Sequence, residues 1–307
     1  MVRPHHGTML QRLLLELGPC LLGGLWLGQR WPALPERLAG PLLGWGMPLS
    51  LVALLLRAGL RPAEGTAALL TLVLCGGGLL LSCRWPWLRR QLQHPSLQLG
   101  AVVGNTAYFG LPVAIALLPP EALAASISYD LVGTLLTWGL GPRLLGQPAP
   151  GWRGLLNNPV LRALALALPL GLSPWGGAIG AVLWWPARLV LWMLLLLVGM
   201  RLGTLLEALR AGPPPSRRPL AVALLLKLGL LPALALLLGL ALRLDPDLLA
   251  AVVLQAAAPT AMSVVLLAEH GNGRETIPAA RLVLWSTLLA LVSVPLWWAL
   301  LQATVAM

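Results

Sequence analysis

Acidic residues are scarce in this chain: Asp and Glu together number 10 among 307 residues, and all charged residues make up only 10%. That is too little charge to cover a soluble protein of this length, so a soluble globular fold is excluded. Short segments of alternating polarity are missing too, which excludes an outer-membrane barrel. Cysteine is limited to Cys20, Cys75 and Cys83, an odd count without a CxxC pair, so neither a disulfide framework nor a metal site is expected. None of the four histidines (His5, His6, His94, His270) falls within a long apolar run. Paired acids, or a nucleophile with a base at membrane depth, are likewise missing, which argues against a membrane-embedded enzyme. No cofactor is implied. The 21 basic residues give a formal net charge of +11, but they lie one to three at a time between apolar runs rather than in a basic domain. Nucleic acid is therefore not an expected partner.

What is present is apolar: 58% of the chain is hydrophobic, with a mean hydropathy of +0.83. A segment in lipid must satisfy its own backbone hydrogen bonds, so long runs of this kind are helices. The fold class is an all-α polytopic membrane protein, with the lipid bilayer as its solvent. At about 20 residues per crossing, ten transmembrane helices are expected, near 9–28, 38–56, 66–83, 97–119, 122–145, 156–172, 180–203, 219–241, 247–269 and 278–302. Proline and glycine punctuate the gaps, as in "WPALPERLAGP" and "AGPPPSRRP", and no linker is long enough to separate soluble domains. The run 13–27 after Arg3 is reminiscent of a secretory signal, but Glu16 interrupts it and no cleavage site follows. It is expected to be a retained first span, with Met1 or Met9 as the start.

The short loops set the orientation. With the N-terminus outside, Arg30, Arg37, Arg84, Arg89, Arg90, Arg143, Arg153, Arg210, Arg217, Arg218 and Arg274 fall on the cytoplasmic side. Only Arg57, Arg61 and Arg243 then fall outside, among Glu64, Glu121, Asp245 and Asp247. That bias predicts a multi-pass protein of the plasma (cell inner) membrane with both termini outside.

Two spans interrupt themselves. The fourth holds "AVVGNTAYFGLPVAIALL" and the ninth "AVVLQAAAPTAMSVVLLAE". Each opens on Ala-Val-Val, places an amide (Asn105, Gln255) and reaches a proline (Pro112, Pro259), the prolines lying 259 − 112 = 147 positions apart. An odd number of spans per half inverts the second half. Matched interruptions in two inverted halves point to a transport site at the bilayer midplane. One reading of each proline is a half-helix start, where its missing N–H is not needed. Two such starts, with no charge in 105–111 or 255–258, would present an uncompensated positive potential suited to a carboxylate.

These residues also carry a resemblance. "GNTAYFGLPVAIAL" resembles the N-T-G-F-x-G-x-P segment of the auxin efflux carrier family, and "AAAPTAMSVVLLAEHGNG" its second signature. "NNPVLRALALAL" resembles the Asn-Pro entry to that family's sixth span, and "GMPLSLVALLLRA" the end of its second. Ala107-Tyr108 and Ala261-Met262-Ser263 depart from the family's usual steps. The resemblance implies two inverted five-helix repeats, 1–150 and 151–307, with broken helices 4 and 9 that cross, as in bile-acid/sodium symporters and NhaA-like sodium/proton antiporters. It also implies a scaffold of spans 1, 2, 6 and 7, and a crossover transport domain of spans 3–5 and 8–10. An elevator or rocking motion between them would give alternating access. Plant members export auxin and form dimers, and bacterial members are linked to small organic acids. Secondary active transport of a small organic anion by a homodimer, coupled to protons or membrane potential, is therefore the expectation. A sodium-coupled, bile-acid-symporter-like carrier is the alternative, and a channel or an enzyme comes further behind.

The candidate substrate-binding residues are Asn105, Thr106, Tyr108, Gly110, Pro112, Gln255, Pro259, Thr260 and Met262, with Asn105 foremost because an amide both donates and accepts. Asp130 in span five and Glu16 in span one are the candidate coupling acids, since ionisable groups within spans are functional by default. Thr106 and Thr260 could equally cap helix ends. Arg188, Lys227 and Arg281 are read as pairing with acids or snorkelling to the interface.

Overall fold

The computed structural model describes residues 6–59, 63–148, 159–210, 217–271 and 273–305. Helices account for almost all of them. In chain order these are α1 (His6–Arg30), α2 (Leu34–Ala58), α3 (Gly65–Arg84), α4 (Pro86–Leu92), α5 (Pro95–Gly100), α6 (Thr106–Leu117) and α7 (Pro120–Leu144). They continue with α8 (Pro159–Leu172), α9 (Gly176–Arg210), α10 (Arg217–Ala241), α11 (Pro246–Ala257), α12 (Ser263–Glu269) and α13 (Thr276–Val305).

Six of these, α2, α3, α7, α9, α10 and α13, are long and apolar enough to cross a bilayer. The chain is a multi-pass α-helical membrane protein. The count of ten expected crossings is not reached on helix length. The fourth and ninth are each split in two, the described part of the sixth is 14 residues, and α1 carries Arg12 and Glu16 in its first half.

One group of helices packs by close backbone approach. Gly24 and Gly28 of α1 face Gly199 and Gly203 of α9, and a Cβ at any of them would strike backbone atoms of the other helix. Small residues four apart are how helices associate in lipid, where burial of apolar surface no longer drives them together. α2 packs in turn against α8 and α9, and Ser50 of α2 donates to the carbonyl of Ala187 at 3.2 Å.

Three long helices contain a π-turn, each a widened turn that frees a carbonyl or redirects a side chain: Leu42–Gly46 in α2, Leu72–Gly76 in α3 and Leu226–Leu230 in α10. A fourth, Thr106–Gly110, forms the start of α6.

Candidate functional site

The site is built where the fourth and ninth segments come apart. α5 ends at Gly100 and α6 begins at Thr106; α11 ends at Ala257 and α12 begins at Ser263. The two links lie side by side as an isolated antiparallel bridge between Gly104 and Thr260. Asn105 N–H donates to Pro259 O at 2.6 Å, and Ala261 N–H donates to Val103 O at 3.3 Å. Each break therefore fills part of the other's missing hydrogen bonding, as a backbone in lipid must.

Side chains satisfy more of it. Thr260 Oγ1 donates to Gly100 O at 2.9 Å, and Ser286 Oγ on α13 accepts from Thr260 N–H at 3.0 Å. That diversion frees Ala256 O, which would otherwise meet Thr260 N–H four residues on; Lys227 Nζ donates to it at 2.7 Å. In the other half, Cys75 Sγ donates to Val102 O at 3.6 Å. Both helpers, Cys75 and Lys227, stand on π-turns of the helices preceding the breaks, α3 and α10.

Around the paired links sits a set of polar atoms without partners. Asn105 Nδ2, both amide atoms of Gln255 and Asp130 Oδ2 are buried and make no hydrogen bond among the described residues. Asn105 is 4% exposed, Asp130 1% and Gln255 0%. Buried polar groups are nearly always satisfied, and each orphan costs on the order of 1–3 kcal/mol. Their collection at one place makes this junction the candidate site. Asp130 is fixed there by Thr106, whose Oγ1 donates to Oδ1 at 2.5 Å. Gln255 lies so close to Gly110 that a Cβ on that glycine would strike its carboxamide.

The sequence-derived candidates divide accordingly. Asn105, Thr106, Gly110, Gln255, Pro259, Thr260 and Asp130 come together at the links. Tyr108 is half-buried and turned to α2, its hydroxyl donating to Met47 Sδ at 3.4 Å. Met262 is buried at the cap of α12. Glu16 lies on α1, and its side chain is outside the described residues. The two prolines differ: Pro112 stands in the first turn of the α-helical part of α6, and Pro259 begins no helix. Pro112 falls after the π-turn that starts α6, and Pro259 lies in the extended link, where its carbonyl accepts from Asn105. Nor is the junction free of charge, as the local sequence suggests: Lys227 and Asp130 arrive from α10 and α7. Among the described residues Lys227 pairs with no acid, and it does not snorkel; it is 1% exposed and bonded to a backbone carbonyl. Ser286 and Cys75 also escaped the sequence reading, because a lone Ser or Cys in an apolar run gives no local sign of a partner 26 or 27 residues away. Arg188 stacks over Trp192 at 5.3 Å. A surface cleft of about 570 Å³ lined by Arg30, Trp31, Pro32, Ala33, Leu34 and Arg37 shares no residue with this site.

Long apolar helices around a buried polar junction define a multi-pass membrane protein. Residues 186–306 match the profile of the Sodium Bile acid symporter family, a range that runs from within α9 through α13 and includes Lys227 and the second link. The match supports a relationship to bile-acid/sodium symporters and not to auxin efflux carriers specifically. No curated protein matches the chain.

Proposed function

We propose that this chain is a secondary active carrier of the bile-acid-symporter kind, which moves a small organic anion by alternating access. The observation that carries the reading is the cluster of unpartnered, buried amides, Asn105 and Gln255, beside two broken helices that hydrogen-bond to each other. Discontinuous helices with free polar groups are how transporters hold a substrate at the midplane. Lys227 and the amide of Asn105 supply donors that suit a carboxylate, and the backbone N–H groups at the start of α6 add to them.

Two five-helix halves of inverted topology account for the internal correspondence. The breaks recur about half a chain apart, and each is braced by a side chain on a π-turn of the preceding helix. The packing of α1 and α2 with α8 and α9 suits a scaffold, against which α3–α7 and α10–α13 move. The family match favours a symporter over the auxin-efflux reading. The carrier then works as a homodimer in the cell membrane.

Flux of labelled carboxylates into proteoliposomes tests the proposal. Saturable uptake of an organic acid, with its neutral amide analogue transported at least tenfold more slowly, is expected. Asn105→Ala should weaken binding by about 1–3 kcal/mol, the range for a lost buried partner. Unsaturable flux, or equal handling of acid and amide, would overturn the anion-carrier reading.

A further inference from the structure

Lys227 is the only lysine in the chain; the other 20 cations are arginines. It lies within α10, well away from both ends of the Arg217–Ala241 helix, and is 1% exposed. Its ammonium is bonded to one broken segment and lies beside the other. Nζ donates to Ala256 O at 2.7 Å on the second, and a Cβ at Gly104 on the first would lie 3.3 Å from it. Of its three N–H donors, only one finds a partner among the described residues. The buried acid of the junction, Asp130, is engaged by Thr106 instead.

A cation held at membrane depth without a bonded acid is costly, and such groups persist where the transport path uses them. The position it fills has the marks of an ion site. A carbonyl freed by helix unwinding is the type of ligand that coordinates a soluble cation in discontinuous-helix transporters. Here that carbonyl, Ala256 O, already carries an ammonium. The two uncharged amides beside it, Asn105 and Gln255, could complete an oxygen shell, but a second cation at the same carbonyl would meet the Lys227 charge directly. Like charges a few ångströms apart in a medium of low effective dielectric repel strongly.

We propose that the Lys227 ammonium is a tethered cation that stands in for the coupling sodium ion at the paired breaks, so that this carrier takes its anion without sodium. The inference rests on the carrier reading above and removes sodium as its coupling ion. The side chain supplies the single positive charge that a bound sodium would bring, and it moves with the broken helices because it is bonded to one of them. The proposal also accounts for the choice of lysine. A guanidinium is planar and broad, whereas an ammonium is a compact point charge closer to a hydrated ion in form.

The test is sodium binding itself, read as uptake of radioactive sodium by purified protein, with choline as the control cation. The wild-type chain should bind no sodium that choline fails to displace. Lys227→Gln, which empties the position but keeps a polar group, should gain saturable sodium binding at least tenfold stronger than wild type, and sodium should raise its melting temperature where choline does not. Saturable sodium binding by the wild-type chain, or a folded Lys227→Gln that gains none, overturns the proposal. If Lys227→Gln does not fold, the wild-type measurement decides alone, its binding or not binding sodium counting against or for the tethered cation. Flux separates this inference from the broader one. Saturable anion uptake that requires sodium removes the tethered cation and leaves the carrier, whereas no saturable uptake with any cation removes the carrier.

Discussion

Gly110 shows how tightly the junction is specified at the level of a single residue. Its α-carbon lies against the Gln255 carboxamide, so adding one methyl group leaves no room for that side chain where it stands. Gln255 is wholly buried and its amide is unpartnered, so it is held by shape alone and has no hydrogen bond to resist displacement. Gly110→Ala should therefore leave the fold in place, with a stability loss of about 1–3 kcal/mol from overpacking, while lowering substrate affinity at least tenfold. The double variant Gly110→Ala with Gln255→Ala restores the space but not the amide. Its stability should return toward wild type while affinity stays low. Thermal unfolding and substrate binding on the three proteins separate packing from recognition, and full recovery of affinity in the double variant would remove Gln255 from the site.

At the scale of elements, the molecule uses two kinds of helix contact for two purposes. α1 and α9 approach through glycines, with backbone against backbone, which leaves little freedom to slide. The broken helices meet through exchangeable hydrogen bonds and a few side chains. Gly199→Leu would drive a branched side chain into the carbonyl of Leu21 and the α-carbon of Gly24. The loss should exceed the roughly 1–3 kcal/mol of ordinary overpacking, because backbone cannot move aside as a side chain can. Leucine at Gly177, where nothing lies near, should cost little by comparison. Unfolding in detergent compares the two, and equal losses would show that the α1–α9 approach is not a rigid contact. The far ends are also tied. The Glu275 carboxylate accepts from Ser96 N–H at 3.0 Å and Ser96 Oγ at 2.7 Å, and lies 3.3 Å from His94 Nδ1, joining the starts of α5 and α13.

At the scale of the whole molecule, the arginine bias predicts an orientation in the bilayer with both termini outside. Single cysteines at Gln91 and Gly212 should resist an impermeant thiol reagent in intact cells, and one at Gly176 should react. The background needs a native Cys75 replaced by serine rather than alanine, because its thiol caps Val102 O. The reverse labelling pattern would invert the topology and place both termini in the cytoplasm.

Much of this was open to sequence reasoning, for reasons that differ by residue. Apolar runs force helices because lipid offers no partner for a bare backbone, so the fold class and most helix positions follow from composition and spacing. The two breaks were legible because an amide, glycine and proline inside an apolar run can be tolerated only where something else satisfies the chain. Their partners were not. Which carbonyl Lys227 caps, that Ser286 holds Thr260, and that Gln255 rests on Gly110 depend on helices distant in sequence being brought together. Pro259 misled for the same reason. Local rules put a proline at a helix start, but here hydrogen bonding between the two links decided where each helix begins. The sequence by itself determined that this chain lives in a membrane and where it must break. Tertiary structure alone decided which charge stands at the junction, since a charge acts through distance in space and not through position along the chain.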